Sequence, residues 1–423
     1  MKPRRAVLAF PTALLLAGAA PAPPPDDAAL AHARRLLRET ILIDGHNDLP
    51  WEIRTSKTAP RDVEAYDLRQ PTPGDTDLAR LRAGGVGGQF WSVYVPGEDK
   101  AAGYARVQLE QIDIARRVVG RYPDALALAT GADEVERAFR QGRIASLLGM
   151  EGGHVLENSL GALRAYHDLG VRYMTLTHNV TLGWADAASD EARHGGLTRF
   201  GEEVVREMNR LGMLVDLSHT SLDTVDDALR VAEAPVIFSH SSARALCDVP
   251  RNVPDAVLRR LPANGGVVMV TFVAAFVSQE FATAYAPIRR EYRARTAGVA
   301  DPAERSRIEA ELDRGFKRPV VTIGQVADHF DHVRKVAGVD HIGIGADYDG
   351  NTDWPLGLED VSRYAYLFAE LIRRGWSDVE LKKVAGGNVL RALRAAEATA
   401  RRLQATRPPS VATIETLDGP ATR

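Results

Sequence analysis

Cysteine is almost missing from this chain: Cys247 is the only one in 423 residues. No intrachain disulfide can form, so stability in any compartment must come from a packed core. Charge of one sign is missing too. Lysine and arginine total 53 against 56 aspartate and glutamate, a formal net charge of −3, and no basic stripe stands out. That balance excludes the strong positive field selected by nucleic acid or an anionic bilayer. Long apolar runs are absent as well. The best of them, Ala6 to Ala20, falls short of the ~20 residues that a bilayer-spanning helix needs. Among catalytic signatures, the chain contains no HExxH helix, no G-x-S-x-G elbow and no P-loop.

At the N-terminus, Lys2, Arg4 and Arg5 precede that apolar run, and Ala20-Pro21-Ala22 supplies small residues for cleavage. This layout predicts a secretory signal peptide over 1–22, and the paired arginines fit either export route. A proline-rich linker over 23–32 follows. The expectation is an exported protein, periplasmic or extracellular, with no stable membrane insertion after cleavage. Export without disulfides suits a bacterium. Residues 401–423 are polar with prolines, carry no apolar stretch for a lipid anchor, and read as a disordered tail.

No low-complexity break interrupts 33–400, which predicts one large domain. Eight apolar runs occur in it: 41–45, 86–95, 144–150, 171–177, 213–218, 235–239, 266–272 and 341–346. Between many of them lie segments of helical period. "FGEEVVREMNRLG" puts Val204, Val205, Met208 and Leu211 on one face, with Thr198 as cap and Gly212 as stop. "IGQVADHFDHVRKVAG" and "DVSRYAYLFAELIRRG" follow the same pattern. Apolar strands alternating with helices predict parallel strands covered on the outside, and the economical closure is an α/β fold of the (β/α)8 TIM-like barrel type. A doubly wound open sheet is the alternative. The charged stretch 274–320, with a helical pattern in "PAERSRIEAELDRG", reads as a lid or as the contact of a homodimer.

The residues that follow the apolar runs share a character. His46 and Asp48 follow the first, Glu151 the third, His178 the fourth, His219 the fifth, His240 the sixth and Asp347 the last. Taken singly, each has an ordinary reading: a hydrogen-bonded imidazole, a helix-cap charge, a turn former. Together they place metal-type donors at carboxyl ends of strands, the face on which a barrel carries its active site. Imidazoles and carboxylates suit Zn(2+) with positions left open for water and substrate. Two ions per chain, ~3.5–4 Å apart, would clamp a bridging hydroxide and polarise a carbonyl. His46, Asp48 and Glu151 are the expected ligands of one ion, and Glu151, His219 and His240 those of the other. His154 reads equally as a supporting residue or a bystander. His329 and His332 read as solvated, and Cys247 as buried and inert. Asp44 and Asp216, inside strands, read as partners for buried polar groups, the second nitrogens of the ligands among them.

"DGHNDLPW", "GGVGGQFWSVYVP", "MEGGH", "RYMTLTHN", "LGMLVDLSH", "PVIFSHSSAR", "RNVPD" and "GLEDVSRY" occur in this order between residues 33 and 398. In these blocks the chain resembles the membrane dipeptidase (renal dipeptidase, M19) family of metallopeptidases. The resemblance implies a two-zinc amidohydrolase-type barrel that cleaves dipeptides and tolerates a D-residue on the carboxyl side. Position by position, it implies His46 and Asp48 on the first zinc, Glu151 bridging, and His219 and His240 on the second. It further implies that His178 contacts the carbonyl side of the scissile bond, that Arg251 receives the substrate carboxylate, and that Asp347 handles protons. The chain departs from mammalian members in lacking disulfides and a lipid-anchor tail. Its 274–320 segment is also longer, which bears on substrate access. The nearest alternative keeps the barrel and changes the bond, as in an N-acyl-amino-acid hydrolase, a lactonase or a β-lactam-opening enzyme. The further alternative is a non-catalytic exported binding protein.

Overall fold

A computed structural model describes residues 28–98, 103–299 and 301–419. The stretch 1–22, expected to be a signal peptide, lies outside them. Nine strands are present among the described residues: β1 Leu42–Asn47, β2 Val86–Ser92, β3 Leu126–Leu128, β4 Ile144–Glu151, β5 Val171–Thr175, β6 Leu214–Asp216, β7 Val236–Phe238, β8 Val267–Val270 and β9 Ile342–Ile344. All paired neighbours are parallel. β1 pairs with β9 at one edge and β2 with β4 at the other, so eight strands close into a ring with helices outside. The barrel expected from the alternating pattern is therefore the fold, and the open sheet is excluded.

β3 stands outside the ring. Its Leu126–Leu128 pairs with 144–146 of β4, ahead of β5, which takes 148–151. A strand has two edges, and β2 occupies the other one through 145–149. β3 and β5 therefore share one edge end to end.

Period-2 alternation sorts the strand side chains into two cores. Ile43, Phe90, Leu147, Tyr173, Leu214, Ile237 and Met269 belong to one buried cluster. Their strand neighbours Leu42, Trp91, Leu148, Met174, Val215, Val236 and Val268 belong to another, with the helices. Burying each such side chain contributes about 1.5–3 kcal/mol. The helix Arg199–Leu211 behaves as its sequence predicts. The Thr198 hydroxyl accepts from the Gly201 amide, Gly212 stops it at φ 81°, and Val204, Val205 and Met208 are buried.

Three expectations are corrected. The first helix, Ala28–Glu39, begins inside the stretch read as linker, because Leu30, Ala33, Leu36 and Leu37 supply a buried face. The tail is not disordered up to Gly419. It carries the helix Ile414–Asp418, and Asp418 accepts from the Thr198 hydroxyl at 2.6 Å. Upstream, Arg407 pairs with Glu233 at 2.7 Å, and the Ser410 carbonyl accepts from Arg164 at 2.9 Å. Ala412, Ile414 and Leu417 also pack, partly buried, against the core, and apolar residues this sparse do not stand out in the composition. His329 is not solvated either. It is fully buried, accepts at Nδ1 from the Ala243 amide at 3.0 Å and donates from Nε2 to the Val277 carbonyl at 3.0 Å.

Burial lowers the His329 imidazole to about 4 from its ordinary 6.5. On acidification the unfolded chain takes up this proton first. The neutral ring's contribution is complete above 6.5 and is lost as pH falls towards about 4, at ~1.4 kcal/mol per pH unit. His329→Leu leaves a buried amide and a buried carbonyl unpaired. It should cost about 2–4 kcal/mol at neutral pH and make the acid limb of stability shallower. Denaturant unfolding at pH 7 and pH 5 measures both effects.

Candidate metal centre

Parallel strands put all their carboxyl ends on one face of the barrel. The polar residues at those ends meet there. His46 Nε2 lies 3.2 Å from Asp48 Oδ2, 3.4 Å from Glu151 Oε2 and 3.8 Å from Asp347 Oδ1. Glu151 Oε1 lies 3.1 Å from His219 Nε2, 3.5 Å from His240 Nε2 and 3.8 Å from His178 Nε2. One carboxylate thus divides its two oxygens between two imidazole groups. All the sequence-predicted strand-end residues converge, but ligand atoms associate in a pattern wider than the one expected. His240 sits with His46 and Glu151, His178 with Glu151 and His219, and Asp347 with His46 and Asp48.

The rear nitrogens fix which ring atom faces the centre. The Tyr173 hydroxyl donates to the Gly45 carbonyl at 3.1 Å, so it accepts from His46 Nδ1 at 2.8 Å. The Ser239 hydroxyl donates to Asp216 Oδ2 at 2.6 Å, so it accepts from His240 Nδ1 at 2.8 Å. His219 Nδ1 donates to Asn179 Oδ1 at 3.3 Å. Each ring then turns its Nε2 inwards, the atom that a ligand must offer. Gly149 makes the first of these arrangements fit, since a Cβ there would stand 2.0 Å from Tyr173 Cζ. Asp44 acts on the backbone, accepting from the amides of His46 at 2.9 Å and Ala346 at 3.1 Å. Two site residues sit in the left-handed region, His219 at φ 66° and Asp347 at φ 74°. Strained backbone of this kind gathers at functional sites.

Electrostatics supply the fit test for a cation. His219 Nε2 and His240 Nε2 are 2.9 Å apart, and with both Nδ1 atoms donating, two lone pairs face each other. Burial, followed by the positive charge of neighbours, holds His178, His219 and His240 well below the ordinary imidazole range. They are neutral at pH 7. Burial raises Glu151 and Asp347, and Asp48 adds to the rise in both. Burial opposes charge on His46, but the surrounding Tyr173, Glu151 and Asp48 outweigh it and draw the ring towards imidazolium. Buried His46 Nε2 and Asp48 Oδ1 have no hydrogen-bond partner among the described residues. Neutral imidazoles, crowded acids and orphaned donors are what divalent cations would satisfy, and the nitrogen–oxygen set suits zinc.

Arg251 is buried near this cluster. Its guanidinium donates to Ser241 Oγ at 3.4 Å and to the His240 carbonyl at 3.3 Å, and lies over the Phe276 ring at 5.1 Å. Burial lowers it to about 10, so it stays charged at neutral pH. His154 is buried and donates from Nε2 to the Val95 carbonyl at 2.9 Å, tying the end of β4 to the end of β2. Sequence reasoning did not single out Tyr173, Ser239 or Asn179. Their only signal is a polar side chain within, or just beyond, an apolar strand.

The family model described as membrane dipeptidase (peptidase family M19) matches residues 30–407. Dipeptidase 3 of Mus musculus is 43% identical over 370 residues, covering 86% of this chain, and the chain spans 66% of that protein's length. The probable dipeptidase PvdM from Pseudomonas aeruginosa superposes with TM-score 0.76 at 24% identity, covering 88% of this chain and 99% of that one. A metallopeptidase from Rhodobacter sphaeroides, solved with a phosphinate mimic of the dipeptide L-Ala-D-Ala, superposes with TM-score 0.69 at 24% identity, covering 84% and 99%. The two structures share the fold with this chain, and with a family model that spans most of its length, the chain belongs to the membrane dipeptidase (M19) family.

Proposed function

We propose that this protein is an exported, zinc-dependent dipeptidase with a binuclear centre that hydrolyses dipeptides, L-Xaa-D-Xaa included. The observation that carries this reading is the division of Glu151, with Oε2 towards His46 at 3.4 Å and Oε1 towards His219 and His240 at 3.1 and 3.5 Å. His46 and Asp48 would hold one zinc, His219 and His240 the other, and Glu151 would bridge them. The ions supply Lewis acidity, which lets water act as a nucleophile at neutral pH. The phosphinate dipeptide mimic bound by the Rhodobacter relative supports the same substrate class here.

The chain's own residues carry the remaining steps. Arg251 receives the substrate's terminal carboxylate in a bidentate pair, which limits the substrate to two residues. His178 donates to the oxygen of the scissile carbonyl, where such a donor contributes about 3–4 kcal/mol to the transition state. Asp347 takes the proton that the attacking water loses and returns it to the leaving amine as the C–N bond breaks. The signal-like segment 1–22 supports export, and among the described residues no helix is long and apolar enough to cross a membrane.

Purified protein should hold two equivalents of metal by elemental analysis. Chelation should abolish cleavage of L-Ala-L-Ala and L-Ala-D-Ala, zinc should restore it, and a tripeptide should remain intact. Metal-free material that retains full activity would overturn the reading. Arg251→Lys should raise KM about tenfold or more while the thermal midpoint holds, because an ammonium cannot reproduce the two-point pair. Asp347→Asn should lower kcat by ~10²–10⁴ with both metals retained. Loss of an ion instead makes Asp347 a ligand, as its place beside His46 and Asp48 permits.

A further inference from the structure

The short helix Leu49–Arg54 leaves the metal centre directly after Asp48, and the Trp51 amide donates to the Asp48 carbonyl at 2.8 Å. Trp51 and Arg54 on that helix line a cleft of about 130 Å³. None of the residues gathered at the metal centre lines it. The Trp51 ring meets Tyr94 edge-on at 5.0 Å, and Tyr94 meets His178 at 4.9 Å. The cleft is therefore one aromatic pair removed from the centre.

Its lining divides by chemistry. Val95, Pro96 and Val107 supply an apolar floor, and both valines are buried. The Val95 carbonyl is fixed by the bond from His154 at 2.9 Å. Arg54, Arg61 and Arg106 supply the polar part. They come from the last turn of the short helix, the loop after it and the start of the helix Tyr104–Arg121. The Arg61 amide donates to the Ile53 carbonyl at 3.0 Å, which holds that loop against the helix.

Three guanidinium groups here share one carboxylate. Glu110 Oε2 accepts from Arg54 Nη2 at 2.7 Å, and Glu110 Oε1 accepts from Arg106 Nη1 at 2.6 Å. The Arg54 guanidinium, with Arg106 behind it, holds the Glu110 carboxyl below its ordinary range, so Glu110 carries a full negative charge. Among the described residues an excess of two positive charges remains. Arg54 also has an unmet donor. Its side chain is only 13% exposed and its guanidinium lies over the Trp51 ring at 5.9 Å. Its buried Nη1 has no hydrogen-bond partner among the described residues. The exposed Arg61 side chain makes no ion pair among them either. An unmet buried donor on a charged group is unfavourable, and like charges around one cleft repel. An anion relieves both.

The floor decides the kind of anion. Ligand pockets combine apolar lining with a few placed polar groups, and a bare inorganic ion would leave Trp51, Val95 and Val107 uncovered. A guanidinium fork donates two parallel bonds to a carboxylate or to a phosphate.

We propose that this cleft is a binding site, separate from the metal centre, for a small organic dianion. The ligand is a phosphate ester or a dicarboxylate whose charged end meets Arg54 and Arg61 and whose apolar body covers Val95 and Val107 beside Trp51. The assignment does not depend on the dipeptidase reading.

Isothermal titration of the intact, zinc-loaded protein with phenyl phosphate and with succinate, at low ionic strength, tests it. At least one probe should bind at one equivalent with Kd of about 1 mM or tighter, and the tighter of the two tells phosphate ester from dicarboxylate. Inorganic phosphate should bind about fivefold more weakly than that probe. Arg61→Met removes an exposed side chain and should weaken the tighter probe by about tenfold or more, as should Arg54→Met. Arg401→Met, on the helix Asn388–Gln404, should leave it unchanged. The proposal is overturned if neither probe binds, or if inorganic phosphate binds as tightly as the better one. It is also overturned if Arg61→Met leaves Kd unmoved, which would seat the anion at the metals or at Arg251. A loss of the same size in Arg401→Met would reduce the effect to net charge and overturn it as well. Arg61→Met decides even where Arg54→Met fails to fold.

Discussion

Everything at the mouth of this barrel depends on one buried carboxylate answering two sets of imidazoles. Glu151 ends β4, and its two oxygens point to His46 on one side and to His219 and His240 on the other. With Asp48 and Asp347 close by, three acids crowd a space from which water is largely excluded. Two unit charges of like sign 4 Å apart repel by about 4 kcal/mol at an effective dielectric of 20. A proton on His46 relieves part of that, and divalent ions would relieve it more fully. The fold has thus placed its least favourable electrostatics where cations would make it favourable.

Rings that merely approach one another do not form a ligand set; each must present the right nitrogen. The barrel settles this from inside its own wall. Tyr173 lies in β5 and Ser239 directly follows β7, and each has its hydroxyl proton committed elsewhere, to the Gly45 carbonyl and to Asp216. Each can then only accept from the imidazole behind it. The aliphatic layer beneath, with Ile43, Leu147, Leu214 and Ile237, carries the stability. The polar layer above it carries the orientation, and the two meet within a single strand.

The barrel was legible because eight apolar runs are long enough to show and each ends on a turn or a polar residue. β3 was not, because its Leu-Ala-Leu has no β-branched or aromatic residue to mark it as a strand. The convergence of His46, Asp48, Glu151, His178, His219, His240 and Asp347 was legible from their position after strands. The grouping of their atoms was not, since strand order says nothing of side-chain rotamers. The helix Gln279–Thr296 escaped because Pro287 interrupts it and it buries little beyond Phe281. His329 looked solvated because its neighbours Asp328 and Asp331 are charged, whereas its own ring crosses to Ala243 and Val277. In each case the missing information was a partner far away in the chain.

The left-handed backbone at His219 and Asp347 has a consequence for dissecting this centre by mutagenesis. A β-carbon at positive φ is strained whatever the side chain, and asparagine, aspartate and glycine tolerate that shape better than alanine does. Truncation to alanine at either position would therefore change conformational preference along with chemistry, and its effect on activity would blend the two. Asparagine keeps the backbone preference nearly constant, and glycine releases it. The difference between those two replacements at one position separates what the main chain contributes from what the functional group does.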